Sequence, residues 1–157
     1  MEKDGPDFHK RLKHKIHKLI VRVYKITDKF PRSELYGSVS QLRRAIVSIM
    51  LNYLEGFVRF KPKVQVNFYE TSYGSTKESK YLIFLAYELC WIDKTEYEEI
   101  FKEADDVAGM IFSLIRGKRE DIGEWVGLRE SWVVKKDLEN TPNYVIIGAY
   151  EKVVCSA

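Results

Sequence analysis

The chain has 157 residues, of which 45% are hydrophobic, which is enough for one domain with a buried core and too few for two. No apolar run approaches the roughly 18 residues that a membrane-spanning helix needs. The N-terminal stretch MEKDGPDFHKRLKHK is too charged for a secretory signal, so we expect a cytoplasmic protein.

The charges are segregated along the chain. Residues 1–63 carry 15 Lys and Arg against 6 Asp and Glu, whereas residues 64–157 carry 11 against 17. Three interpretations are open: the two halves attract each other inside the fold, they pair between subunits, or the basic half presents a cationic surface to a polyanion.

The first predicted helix runs from about residue 7 to residue 29 and is amphipathic and strongly basic. Apolar residues recur along it at steps of three or four, which places them on one face; they are Phe8, Leu12, Ile16, Leu19, Ile20, Val23 and Ile26. Lysine and arginine occupy much of the remaining surface, at Lys10, Arg11, Lys13, Lys15, Lys18, Arg22, Lys25 and Lys29.

The second predicted helix spans residues 31–59. Pro31 suits the first turn of a helix, and Pro62 disfavours helical geometry at Lys61, so the FKPK sequence at 60–63 is predicted to end the helix. Its apolar stripe consists of Leu35, Val39, Leu42, Ile46, Ile49, Tyr53 and Phe57. Because the connection to the next helix is short, the two helices are predicted to be antiparallel.

Two further helices complete the predicted domain. The third covers about residues 64–91, with a seam formed by Phe68, Tyr69, Tyr73, Thr76, Lys80, Ile83, Tyr87 and Trp91. The fourth is capped by Asp93 or Thr95, and Gly117 is predicted to mark its end; its apolar positions are Tyr97, Ile100, Phe101, Ala104, Val107, Ala108, Ile111, Leu114 and Ile115. The pattern predicts an all-α, antiparallel up-down-up-down four-helix bundle over residues 7–119.

Residues 120–157 form a C-terminal extension without a long helical stripe. Two β-branched runs, WVV and YVII, are separated by the turn-like sequence ENTPN, so a small hairpin and a segment docked on the bundle are both open. The two cysteines, Cys90 and Cys155, lack the close spacing of a zinc or redox motif, and we expect free thiols.

Two segments, LYGSVSQLRRAIVSIMLNYLEGFVR and YGSTKESKYLIFLAYELCWI, resemble the central signatures of the S23 or 23S rRNA intervening-sequence family of four-helix-bundle proteins. The resemblance covers roughly residues 8–118. Departures from the family pattern fall at Met50, Leu51, Tyr53 and Leu54. The matching positions are Tyr36, Gly37, Ser40, Gln41, Arg43, Arg44, Ala45, Ser48, Ile49, Asn52, Glu55, Gly56, Arg59, Gly74, Ser75 and Glu78.

The resemblance implies a ring of identical subunits, a homopentamer, with no established enzymatic activity. We expect no cofactor. A related branch, the accessory proteins of diversity-generating retroelements, uses a basic surface to bind nucleic acid and a reverse transcriptase. We therefore expect a non-enzymatic, oligomeric accessory protein that binds the backbone of RNA or DNA. The alternative is a structural or protein-interaction scaffold, including a partner of a reverse transcriptase, with no direct nucleic-acid contact.

Two groups of cations are candidate nucleic-acid-binding residues. Arg43 and Arg44 offer planar donor sets that match phosphate oxygens, but the alternative that one or both pair with Glu55, Glu78 or an acidic residue of a neighbouring subunit is favoured. The basic face of the first helix could bind backbone phosphates with release of counterions, or it could be a solvated surface; its residues are Lys10, Arg11, Lys13, Lys15, Lys18, Arg22 and Lys25.

Other chemistry has little support in the sequence. His14 and His17 have an i,i+3 spacing that could share a metal, but no acidic or cysteine ligand accompanies them, so no metal site is predicted. No hydrolase, phosphate-loop or metalloprotease motif is present, and neighbouring carboxylates such as Glu98 and Glu99 point in different directions on a helix. We therefore predict no enzymatic activity.

Overall fold

The computed structural model describes residues 5–123. This part of the chain contains four long helices and no strand. Their bounds are Pro6–Thr27 for α1, Ser40–Val58 for α2, Pro62–Glu88 for α3 and Lys94–Asp121 for α4. Each helix packs mainly against two others, so that α1 and α3 each lie between α2 and α4. The predicted four-helix bundle is confirmed, and α4 continues two residues beyond the predicted boundary at residue 119.

The contacts between helices show that neighbours run in opposite directions. As residue numbers rise along α1, the residues of α4 that it contacts fall, from Asp106 opposite Lys15 to Glu99 opposite Arg22. The other three neighbouring pairs of helices show the same reversal. The contacts are His9–Tyr53 and Thr27–Arg43 between α1 and α2, Ser48–Ser75 and Gln41–Glu78 between α2 and α3, and Glu70–Arg119 and Lys80–Asp105 between α3 and α4. The bundle therefore has up-down-up-down topology.

The start of the second helix differs from the prediction. A 3₁₀ turn at Arg32–Glu34 and a wide π-helical turn at Leu35–Val39 precede α2, and the backbone leaves helical geometry at Gly37 (φ −99°, ψ −113°). The helical spacing of Leu35 and Val39 suggested one continuous helix, but Leu35 is half exposed and only Val39 enters the core. A break in backbone geometry is invisible to a test of apolar spacing.

The helix ends use different devices. Pro62 begins α3 at a position where its missing N–H costs no helical hydrogen bond. At the C-terminus of α3, Cys90 adopts a left-handed conformation (φ 58°), and the backbone N–H of Trp91 donates to Ala86 O at 2.9 Å, as in a Schellman motif. Asp93 caps α4 by accepting from the backbone N–H of Glu96 at 2.9 Å, as predicted. The predicted end at Gly117 is wrong, because α4 runs through this residue to Asp121.

The core confirms most of the predicted apolar faces. All nine apolar positions predicted for α4 are buried, and on α1 only Phe8 and Ile20 are half-buried rather than buried. The prediction for α3 is less accurate, because Phe68, Tyr73, Tyr87 and Trp91 are half-buried. Small polar residues occupy much of the buried face of α3 instead, namely Ser72, Ser75, Thr76 and Ser79.

Small side chains allow α2 and α3 to approach closely. A Cβ added at Gly56 would lie 2.7 Å from Cε1 of the buried Tyr69 ring and 3.1 Å from Cβ of Phe68. The hydroxyl of Ser72 donates to the backbone carbonyl of Ile49 at 2.7 Å, which satisfies a buried polar group across the seam. This neutral seam therefore depends on close fit rather than on charge.

The predictions for the two cysteines, the C-terminal extension and membrane-spanning segments can be compared with the structure only within the described residues. Cys90 is disulfide-bonded, so the prediction of a free thiol is wrong at this position. Cys155 lies outside the described residues, as do the two β-branched runs of the C-terminal extension. None of the described helices combines the length and apolar character that crossing a membrane requires.

Candidate nucleic-acid interface

A row of ion pairs joins the basic helix α1 to the acidic helix α4. Lys15 Nζ lies 2.7 Å from Asp106 Oδ2, and Lys18 Nζ lies 2.9 Å from Glu103 Oε1. The row continues along the seam with Arg22, which pairs with both Glu99 and Glu103, and with Lys29, which pairs with Glu96. Three of the candidate binding residues on α1, Lys15, Lys18 and Arg22, therefore have acidic partners within the chain.

Arg22 is the most deeply placed cation of this row. Its side chain is 27% exposed and that of Glu103 is 23% exposed, so both charges are partly withdrawn from water. Burial of the guanidinium favours its neutral form, but the hydrogen bonds and charges of Glu99 and Glu103 outweigh burial and raise the pKa of Arg22. The charge of Arg22 therefore stabilises the contact between α1 and α4.

Arg43 is held at the junction of α1 and α2. Its Nε donates to Thr27 Oγ1 at 2.8 Å and one of its terminal nitrogens donates to Asp28 Oδ1 at 2.7 Å. The guanidinium also lies over the Tyr24 ring, with its central carbon 4.8 Å from the ring centroid. Arg43 therefore has an acidic partner, although neither Glu55 nor Glu78 supplies it.

Arg44 differs from its neighbour. Its side chain is exposed and donates to Gln41 Oε1 at 2.8 Å, while the amide of Gln41 donates to Glu78. Arg44 is linked to a carboxylate only through a neutral side chain, so its charge is not directly paired. It can still meet an anion from solution.

Four candidate cations are exposed and have no acidic partner among residues 5–123: Lys10, Arg11, Lys25 and Arg44. Lys13 is half-buried, with its Nζ 5.3 Å from the centroid of the Phe57 ring. Lys25, Arg43 and Arg44 line two adjoining surface depressions that share Tyr24 and Arg43. The structure thus divides the nine candidates into cations that are paired in the fold and cations that are available to a ligand.

An exposed apolar strip overlaps these depressions, which Val21, Tyr24 and Leu51 help to line. Leu51, Leu54 and Val58 follow one another at steps of three and four along α2 and are 60%, 39% and 62% exposed. On α1, Val21 and Tyr24 are also each 41% exposed. We call these five residues the α1–α2 apolar strip. Contiguous apolar exposure of this kind is typical of an interaction surface.

The structure also identifies a group of residues that the sequence analysis did not select. The turn between α2 and α3 presents Phe60 with 99% of its surface exposed, between Arg59 and the exposed Lys61 and Lys63. The signal was present in the sequence as an aromatic residue flanked by cations next to a proline. By itself, this pattern predicts only the end of a helix.

The two histidines whose spacing is compatible with a shared metal lie on the surface of the bundle. His14 and His17 are both exposed on α1. Within residues 5–123, no three side chains of His, Cys, Asp or Glu lie close enough together to hold a metal ion.

The fold and the surface define a four-helix-bundle protein with a charged α1–α4 seam and an exposed cationic and apolar face on α1 and α2. A family model described as 23S rRNA-intervening sequence protein matches residues 10–113. The chain belongs to this family. The match covers the whole bundle except the first turn of α1 and the last turns of α4.

A solved structure supports the same fold. It is described as a protein with unknown function from the S23 ribosomal protein family from Bacteroides thetaiotaomicron VPI-5482. The superposition has a TM-score of 0.63 at 19% sequence identity, and covers 67% of this chain and 98% of the other. At this identity the likeness shows the fold alone. No curated protein matches the chain at a significant level.

Proposed function

We propose that this protein is a non-enzymatic, oligomeric accessory protein that binds the backbone of RNA or DNA through the unpaired cations of α1 and α2. The observation that carries the proposal is the exposure of Lys10, Arg11, Lys25 and Arg44 without acidic partners among residues 5–123. A polyanion that contacts such residues releases condensed counterions, which favours binding without sequence readout. A cytoplasmic location stays a prediction from the sequence.

Membership of a family named for an intervening sequence in 23S rRNA supports RNA as the ligand to try first. Binding should weaken steeply as salt rises, because each phosphate contact contributes about 0.7 to 0.9 to the slope of log affinity against log salt. The direct test is a titration of the protein with a structured, mixed-sequence RNA at several salt concentrations. An affinity that does not respond to salt would contradict the proposal.

A matched pair of charge reversals locates the contact. Lys25→Glu should weaken RNA binding, because Lys25 is exposed beside Arg43 in one of the two depressions. Lys102→Glu makes the same change in net charge at an exposed position of α4, a helix that lines neither depression, and should have a smaller effect. Equal losses of affinity would show that net charge, rather than this surface, governs binding.

Assembly into a ring is the second part of the proposal. The α1–α2 apolar strip would be covered by a different surface of another copy of the chain, which leaves the unpaired cations at its edge open to RNA. A contact between two different surfaces is heterologous and closes into a ring when the rotation between subunits permits it. Several copies in one ring would also strengthen weak binding of each subunit to one RNA.

Light scattering coupled to size-exclusion chromatography tests the assembly. The wild-type protein should elute at a multiple of the monomer mass, with a pentamer expected from the family resemblance. Leu51→Glu should reduce this mass because it places a charge in the apolar strip, whereas Leu89→Glu, at a 49% exposed site outside the strip, should not. A monomeric wild type would contradict the proposed ring.

The RNA titration and the light-scattering measurement together distinguish nucleic-acid binding from the alternative function. The α1–α4 ion pairs and the apolar strip would also suit a scaffold that contacts proteins, including a reverse transcriptase, and never touches nucleic acid. A stable ring that ignores RNA even at low salt would favour the scaffold.

A further inference from the structure

The turn between α2 and α3 holds an aromatic ring away from the rest of the protein. Phe60 is 99% exposed, although burying a phenylalanine is worth about 1.5 to 3 kcal/mol. Only one other large apolar residue of the described chain approaches this exposure, Tyr36 at 92%, and it lies at the opposite end of the bundle. Single exposed apolar residues are common, so exposure alone assigns no role.

The turn that carries Phe60 is well ordered by hydrogen bonds. The side-chain amide of Gln65 donates to Arg59 O at 2.6 Å, and the backbone N–H groups of Val64 and Gln65 donate to Lys61 O at 2.9 and 3.0 Å. Pro62 fixes the backbone at the first residue of α3. The ring is therefore presented on a fixed support, which lowers the entropic cost of binding.

Cations surround the same end of the bundle. Lys61 is exposed, without an ion pair among residues 5–123, and Lys63 is exposed two residues later. The N-terminal turns of α1 lie alongside, since the His9 ring is 4.8 Å from the Phe57 ring near the end of α2. That contact brings the unpaired Lys10 and Arg11 to this end as well. We call this region, formed by Lys10, Arg11, Phe60, Lys61 and Lys63, the basic end.

We propose that the basic end binds single-stranded nucleic acid, with an unpaired base stacked on Phe60 and the neighbouring cations on the flanking phosphates. An exposed aromatic ring among cations is the usual composition of a surface that binds single strands without sequence preference. A duplex offers phosphates but no free base face, so Phe60 gives no advantage on a duplex. The inference rests on the proposed function, because it names the form of nucleic acid that the cationic surface receives.

The test compares the full-length wild type with Phe60→Ala by fluorescence anisotropy, using a short unstructured RNA and the same strand in a duplex. Phe60→Ala should weaken binding of the single strand about tenfold, as expected for one stacked base, and leave duplex binding unchanged. The slope of log affinity against log salt should not change, because no charge is removed. Phe60→Trp should retain or improve single-strand affinity.

Two control variants complete the design. Tyr36→Ala removes an equally exposed aromatic ring at the other end of the bundle and should leave affinity unchanged. Lys61→Gln should lower the salt slope for the single strand by about 0.7, the value for one phosphate contact. Since Phe60, Tyr36 and Lys61 are all exposed, none of these variants should alter the helical circular-dichroism spectrum.

The possible failures are distinguishable. If the wild type binds no nucleic acid, both the proposed function and this inference are wrong. If it binds in a salt-dependent manner but Phe60→Ala binds the single strand as tightly as wild type, only the inference is overturned. If Phe60→Ala instead abolishes binding to anionic lipid vesicles and leaves RNA affinity unchanged, the basic end is a membrane contact and the inference is also overturned.

Discussion

The α1–α4 and α2–α3 seams join helices of the same bundle by opposite means. The first carries four basic residues of the N-terminal half, each paired with acidic residues of the C-terminal half. The second has glycine and serine at the contact, with hydroxyls bonded across or along the seam. The comparison shows that part of the segregated charge in the sequence joins α1 to α4, whereas close fit and hydrogen bonds join α2 to α3.

The largest effect is expected in the neutral seam, for Gly56→Ala. Its Cβ would lie 2.7 Å from the Tyr69 ring, which is 1% exposed and has little room to move. We expect a loss of about 2 kcal/mol in the free energy of unfolding, measured by urea denaturation and unchanged by added salt. Gly74→Ala is the matched control, since nothing lies within 4 Å of its added Cβ, and it should stabilise α3 by about 0.5 to 1 kcal/mol. If Gly56→Ala left the free energy of unfolding unchanged, the seam would tolerate a wider separation of α2 and α3.

In the α3–α4 seam, one ion pair allows the cost of losing a charged partner to be compared with the cost of removing a buried charge. Lys80 is 9% exposed, pairs with Asp105 and lies with its Nζ 4.2 Å from the Phe101 ring centroid. Asp105→Asn should cost about 2 kcal/mol near neutral pH, because it leaves a buried ammonium without the charge of its partner. Lys80→Met, which fills similar volume and leaves a half-exposed carboxylate to water, should cost about 1 kcal/mol or less. Equal costs for the two variants would contradict this asymmetry.

The same lysine predicts a pH dependence. Burial lowers the pKa of Lys80 despite the opposing charge of Asp105. A lysine whose folded pKa lies below its unfolded pKa releases its proton first in the folded state, so this residue makes stability rise as pH increases between the two values. Urea denaturation between neutral pH and about pH 10 should show a steeper rise for Asp105→Asn than for wild type, and no such contribution in Lys80→Met. A decline for Asp105→Asn over this range would contradict the assignment.

A smaller, salt-sensitive effect is expected in the charged seam. Arg22→Gln removes contacts to Glu99 and Glu103 and should cost about 1 kcal/mol at low salt. Added salt should reduce the difference between the variant and wild type, because it screens the partly exposed pairs. A cost that is independent of salt would mean that Arg22 acts through packing of its side chain instead of its charge.

The smallest effect is expected where α2 begins. The hydroxyl and backbone N–H of Ser38 both donate to the Glu34 carboxylate and lower the pKa of Glu34. A carboxylate with a lowered folded pKa stabilises the fold above its unfolded pKa and loses this contribution as pH falls through the folded pKa. Amide exchange at Ser38, referenced to neighbouring amides, should therefore accelerate at acidic pH in wild type and show no such change in Glu34→Ala.

The sequence was sufficient for the bundle because its signals are local. The apolar positions of α4 recur with helical spacing, and Asp93 and Pro62 mark helix ends by their own chemistry. The predicted helix end at Gly117 is wrong because one glycine in a helix interior costs only about 1 kcal/mol. Tertiary contacts such as that of Arg119 with Glu70 can offset this cost. The serines of α3 were missed because they are polar, although they are the residues that let α2 approach.

The site was less predictable because pairing depends on register between distant helices. Acidic residues at 96, 99, 103 and 106 follow the spacing of one helical face, and the basic residues at 15, 18 and 22 follow the same pattern on α1, with Lys29 just beyond its end. The complementarity was visible, but only the three-dimensional contacts select pairing inside the fold over pairing between subunits for these residues. Phe60 was missed because the sequence does not report how exposed a turn residue will be.

We propose that the cations of α1 divide into a set that stabilises the bundle and a set that binds nucleic acid. The most direct test of this division is the salt dependence of RNA affinity for two matched double variants, Lys15→Gln with Lys18→Gln and Lys10→Gln with Arg11→Gln. The second variant should lower the slope by about 0.7 to 0.9 for each phosphate that the protein no longer neutralises, while the first should leave the slope unchanged. A first variant that lowers the slope as much as the second would contradict the division.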